Sequence, residues 1–145
     1  MKLSEHFTLE EMTASPTATR HRIDNTPDAR AVANLRRLAG LLEQIRGIVA
    51  KPVIVSSGFR SPQLNAAVGG ARGSAHLKGL AADISVPGMS CRDLARAIVM
   101  AGLEYDQMIY EGGWVHVGLS EGSARGQVLT ASFTPAGLVY AKGLE

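Results

Sequence analysis

Asp83 is the residue that most restricts how this chain can fold. It sits inside Leu80-Ala-Ala-Asp-Ile-Ser-Val86, a run of apolar and small side chains with strand character. Burying an isolated carboxylate is expensive, so a fold that buries this strand must bring the carboxylate a partner. His116 repeats the pattern, an ionisable residue inside Trp114-Val-His-Val117. A third ionisable residue, His76, lies seven positions before Asp83, across a segment containing Gly79. Singly, a histidine in an apolar strand is more often a hydrogen-bonded core residue than a ligand. Together, two imidazoles and one carboxylate make the three-ligand set of a catalytic zinc, with the fourth position open for water. Other divalent ions suit the same donors, and zinc is the ion that fits hydrolysis.

The rest of the chain is compatible with such a site in one domain spanning residues 1–145, with residues 1–27 as an N-terminal arm packed on it. An apolar fraction of 46% and a charged fraction of 19% are ordinary for a globular protein. The net charge is only +2, with no Lys/Arg run and no interleaving of basic and aromatic residues, so nucleic acid is not an expected partner. The single cysteine, Cys91, excludes an intrachain disulfide, which suits synthesis in a reducing cytosol. It reads as a small semi-buried residue at a helix start, where the dipole could instead lower the thiol pKa. No apolar run at the N-terminus resembles a signal peptide, and nothing approaches the ~18 apolar residues of a membrane span. Synthesis in the cytoplasm, no membrane insertion and a monomeric state are therefore expected.

The expected elements form an α+β fold. Thr8 followed by Glu11 reads as a capping box for a short helix over 8–13, while Pro16 and Pro27 break the polar N-terminal text. After Pro27, Val32, Leu35, Leu38, Leu42 and Ile45 recur at helical steps, with Arg30, Arg36, Arg37 and Glu43 off that stripe, predicting a core-facing helix ending near Gly47. Strands are expected over 52–57, 80–86, 107–111, 114–119, 127–132 and 138–140, with short helices over 62–67 and from Ser90 to about Ala101. The late strands read as antiparallel hairpins, so helices first and hairpins last argue against a doubly wound sheet. His6 and His21, in polar surroundings, should face solvent.

Ser74-Ala-His76-Leu-Lys-Gly79-Leu-Ala81-Ala-Asp83 resembles the Ser-x-His-x-x-Gly-x-Ala-x-Asp motif of the zinc D-alanyl-D-alanine peptidases, peptidase family M15. Trp114-Val-His116-Val resembles that family's third-ligand strand, and Ser57-Gly-Phe-Arg60-Ser with Leu64-Asn65 resembles the segment supplying its active-site arginine. Phe7-Thr8-Leu9-Glu10, Asp24-Asn25-Thr26-Pro27 and Asn34-Leu35 are similar to a branch of small members often found in phage genomes. The resemblance runs from residue 5 to about 120.

It implies a Hedgehog/DD-peptidase-like fold, with N-terminal helices packed on a small, mainly antiparallel sheet. It also implies zinc held by His76, Asp83 and His116, and Arg60 hydrogen-bonding the scissile carbonyl oxygen as that atom gains charge. The implied substrate is the stem peptide of bacterial peptidoglycan, cut at D-Ala-D-Ala or L-Ala-D-Glu, as in a phage or prophage lysis enzyme or a virion component acting at the wall. One departure stands out. Several members carry an acid three residues before the third ligand, where this chain has Gly113. Glu111 is then the expected general base, folded back by the Gly112-Gly113 pair, with Asp106 a second candidate. Gln107 and Lys78 are possible substrate contacts, Ser74 a possible partner of a ligand imidazole, and Trp114 a core residue or a groove wall. The alternatives kept open are a zinc-containing wall-binding module without catalysis and a cytosolic D,D-dipeptidase.

Overall fold

Capping chemistry starts the helices of the computed structural model, which describes residues 1–144. Thr8 and Glu11 exchange side-chain and backbone hydrogen bonds, the capping box that starts α1 (Leu9–Thr13). A helix not expected from the sequence, α2 (Pro16–His21), follows at once. Pro16, read above as a break, is its first residue, where a missing N–H costs nothing, and Ser15 caps it. Asp28 caps α3 (Ala29–Val49), whose buried face includes Leu35, Leu38, Leu42 and Ile45. The helix runs past Gly47 to Ala50, which takes a left-handed conformation (φ 55°) two residues before Pro52.

The strands are β1 (Ile54–Ser57), β2 (Ala81–Ser85), β3 (Gln107–Tyr110), β4 (Val115–Gly118), β5 (Gln127–Thr134) and β6 (Gly137–Lys142), in sheet order β1-β2-β4-β3-β5-β6. α4 (Pro62–Ala67) and a 3₁₀ turn (Ala75–Lys78) lie between β1 and β2, and α5 (Cys91–Met100) between β2 and β3. The α+β expectation is borne out. The hairpins β3–β4 and β5–β6 are antiparallel, but β5 pairs with β3 in parallel. Both edges of β4 are already taken by β2 and β3, so the free edge left for β5 belongs to β3.

Alternation along the strands separates the two faces of the sheet. Ala82, Ile84, Met108, Val115 and Val117 join the core with α3 and α5. Asp83, Ile109 and His116 occupy the alternate positions, on the other face. No helix of the described residues is long and apolar enough to cross a membrane. Cys91 is partly buried beside the core, and burial pushes its thiol up rather than down.

The N-terminal arm is tied to the segment that follows β1. Asn25 donates to the carbonyls of Thr13 (2.9 Å) and Phe59 (3.1 Å), and its Oδ1 accepts from the Ser61 N–H (2.7 Å). Phe59 N–H donates to the Met12 carbonyl at 2.8 Å, and a Cβ on Gly58 would fall 2.3 Å from that oxygen. Asn25→Ala removes three bonds and strands partly buried carbonyls, which should cost about 2 kcal/mol. Urea unfolding should therefore show a lower midpoint with an unchanged slope.

Candidate metal centre

The β2–β4 ladder sets Asp83 directly opposite His116, so both side chains leave the same face of the sheet. Asp83 Oδ1 lies 3.1 Å from His116 Nδ1 and 3.4 Å from His76 Nε2. His76 comes from the 3₁₀ turn, closed by Gly79 in the left-handed region (φ 73°), where a Cβ would also meet the Ala31 carbonyl at 2.7 Å. Glycine is therefore required at position 79 on both counts. Asn34 of α3 holds this turn by donating to the Lys78 carbonyl at 2.9 Å. The two imidazoles meet edge to face, their centroids 5.2 Å apart.

The setting of the His76 ring follows from its neighbours. Its Nδ1 is 2.7 Å from the Gly58 carbonyl, which can only accept, so Nδ1 carries a proton and Nε2 is the nitrogen turned to Asp83. Ser74, expected as a possible partner of the imidazole, instead accepts from the His76 backbone N–H at 3.2 Å. His116 presents Nδ1 to Asp83, with Nε2 on the side of Gly118. Burial alone would raise the Asp83 carboxyl, but hydrogen bonds and charge from His116 and His76 outweigh it and hold the group well below the usual carboxylate range.

One donor atom each from His76, Asp83 and His116 lies within 4.8 Å of the others. Donors about 2.0–2.1 Å from a tetrahedral zinc stand roughly 3.3 Å apart, close to the two Asp83–imidazole distances. Two neutral-imidazole donors and a carboxylate are also the right chemistry for that ion. The residues fit a metal.

Arg60 flanks the cluster. Its Nη2 is 3.5 Å from Asp83 Oδ2, while Nε donates to Ser57 Oγ and Nη1 to Asn65 Oδ1, both at 3.1 Å. Asn65 in turn donates to the Ala71 carbonyl, and a Cβ on Gly70 would fall 2.0 Å from its Oδ1. The guanidinium is thus fixed by three side chains, leaving N–H groups toward a cleft of about 640 Å³ that Arg60 lines with His76, Asp83 and His116.

Glu111 lines the same cleft, as do Asp106, Gln107 and Trp114. Gly112 adopts φ 82°, and the Glu111 N–H bonds the Trp114 carbonyl at 3.0 Å, so the two glycines close a tight turn. Trp114 walls the groove and is not core; its indole N–H donates to Glu111 Oε2 at 2.9 Å. Burial, and then the charge of Asp83, push the Glu111 carboxyl up, against the smaller effect of that indole bond. Asp106 differs, because Arg125 bonds both its oxygens (3.0 and 2.8 Å) and lowers its pKa. The Gln107 amide donates to Gln127 Oε1 at 2.8 Å. Lys78 is outside the cleft lining and pairs with Glu121 at 3.2 Å. His6, bonded to Glu43 at 2.7 Å, and His21 are exposed. Sequence reasoning quoted Gly58 and Asn25 only inside longer motifs and gave neither a role: Gly58 acts through its carbonyl, and Asn25 through side-chain bonds to backbone groups. It missed Tyr140, which lines the cleft from β6.

Comparison with curated proteins gives no match. The profile of the Peptidase M15 family matches residues 5–118, a span that holds His76, Asp83, His116, Arg60 and Glu111. This chain belongs to the Peptidase M15 family.

Proposed function

We propose that the chain is a zinc-dependent peptidase that hydrolyses a peptide bond in bacterial peptidoglycan stem peptides, at D-Ala-D-Ala or L-Ala-D-Glu. His76 Nε2, Asp83 and His116 Nδ1 would hold the ion. The observation that carries this reading is the pairing in one cleft of a His-Asp-His cluster with a separate carboxylate, Glu111, whose proton affinity is raised. Bound zinc supplies Lewis acidity, making water nucleophilic near neutral pH and polarising the scissile carbonyl.

The chain's own groups account for the rest. Glu111 accepts the proton of the attacking water and delivers it to the leaving amine, a transfer favoured when its pKa moves toward the working pH. Arg60 donates to the carbonyl oxygen as negative charge develops there, and its fixed setting means little reorganisation at that moment. Trp114 orients Glu111 and walls the groove. Such an enzyme would act at the wall, in phage lysis or as a virion component.

Purified protein should carry about one zinc per chain, and Asp83→Ala or His76→Ala should lose it, as measured by elemental analysis. Glu111→Gln should keep the zinc and lower the release of new amino termini from peptidoglycan by about 10²–10⁴-fold, with fragment masses identifying the bond. Zinc-loaded protein that releases nothing from any wall type would favour the binding module. Cleavage of free D-Ala-D-Ala but not of polymer would favour the dipeptidase.

The pH profile gives an independent check. Glu111 works ionised, so kcat/KM should fall as pH drops through its raised pKa. The indole N–H of Trp114 stabilises the ionised form. Trp114→Phe should therefore shift that acid limb to higher pH.

A further inference from the structure

The hairpin β5–β6 lies beyond residue 118, where the family match ends, yet it extends the sheet next to the cleft. Ladder register gives its composition face by face. Ile109 stands beside Leu129, Tyr140 opposite Ala131, and Leu138 opposite Phe133. These residues share the face that carries Asp83 and His116. Tyr140 lines the cleft itself and feels the charge of Glu111. Farther out the strip remains open to solvent, with Phe133 74%, Tyr140 49% and Leu138 44% exposed. An exposed apolar strip continuous with a cleft is a binding surface in search of its ligand.

We infer that the β5–β6 hairpin is a saccharide subsite, in which Tyr140 and Phe133 stack against sugar rings attached to the peptide being cut. The inference rests on the proposed function, which supplies a substrate whose peptide is joined to a glycan. Tyr140 and Phe133 are diagonal neighbours across the hairpin, within reach of one another and of a single extended ligand. A pyranose offers an apolar C–H face to an aromatic ring and a rim of hydroxyl and amide groups to planar polar side chains. Gln107 and Gln127, joined side by side, stand where the strip meets the cleft. An anionic peptide fits less well. Arg125 is already held by both Asp106 oxygens, and Ala131, Phe133, Leu138 and Tyr140 carry no charge, so Lys142, opposite Leu129 at the inner end, is the one cation on this face of the hairpin strands.

The test uses zinc-loaded full-length Glu111→Gln protein, so that binding is read without turnover. Calorimetric titration compares a disaccharide–stem-peptide fragment with the same stem peptide lacking sugars. The disaccharide form should bind about tenfold more tightly. Phe133→Ala and Tyr140→Ala, added to that background, should bring the ratio of the two affinities close to unity, whereas Tyr140→Phe, which keeps the ring, should preserve it. Equal affinity for the two ligands, or a ratio that survives both alanine variants, would overturn the subsite. So would sedimentation in which the parent protein is a dimer that either alanine variant converts to monomers, since the strip would then cover a second copy. A wild-type protein that cuts no wall peptide but retains the hairpin-dependent ratio would remove the peptidase reading and leave the subsite standing.

Discussion

The carboxylate of Asp83 is the charge around which the other parts are arranged. It is buried in a strand whose immediate neighbours are Ala82 and Ile84, both without solvent exposure. Nothing in that strand can offset the desolvation of a carboxylate, so its partners must come from elsewhere in the fold. The β2–β4 register brings His116, the 3₁₀ turn brings His76, and the segment after β1 brings Arg60. Each partner reaches Asp83 from a different element, so the cluster forms only when sheet, turn and loop are all in place.

That dependence explains why the first quarter of the chain bears on the chemistry although it supplies no ligand. Residues 58–60 are held from both sides. Phe59 N–H bonds Met12 and Phe59 C=O accepts from Asn25, while Gly58 C=O meets the His76 ring and Arg60 N–H bonds the His76 carbonyl at 3.0 Å. The N-terminal arm thus sets the carbonyl that fixes the His76 tautomer, and it also sets the origin of the Arg60 side chain. Outer contacts of this sort orient metal ligands and tune their basicity. A glycine at position 58 belongs to the same arrangement, because a side chain there would collide with the Met12 oxygen.

Local patterns in the sequence carried most of the elements and the three clustered residues. Period, caps and β-branched runs are local properties, and a charged residue in an apolar run is visible without any knowledge of its partner. The parts that escaped notice are long-range or ambiguous. Ser15-Pro16 is the start of a helix as readily as a break, and only packing of Ala18 decides between them. The parallel β3–β5 pairing depends on which sheet edge remains free, which no segment encodes alone. Asn25 looks like an ordinary turn residue until Thr13, Phe59 and Ser61 surround it. The reach of Glu111 into the cleft was legible only as a possibility of the Gly112-Gly113 pair, and the φ of Gly112 makes it real.

Three carboxylates share the cleft, and their surroundings separate them. Asp83 is held ionised by two imidazoles, and Asp106 by the bidentate guanidinium of Arg125. Neither has proton affinity to spare. Among the described residues Glu111 has no cationic side chain bonded to it, only the neutral indole N–H of Trp114; it is partly buried and feels Asp83 as a like charge. Its affinity for a proton therefore rises where that of the other two falls. Groups whose environments push their pKa values apart divide ligand and proton-transfer roles between them. A carboxylate three residues before His116 would have sat in the turn itself, at the position of Gly113. Here the two glycines let the chain double back, so Glu111 arrives from the far side of the turn with Trp114 already bonded to it.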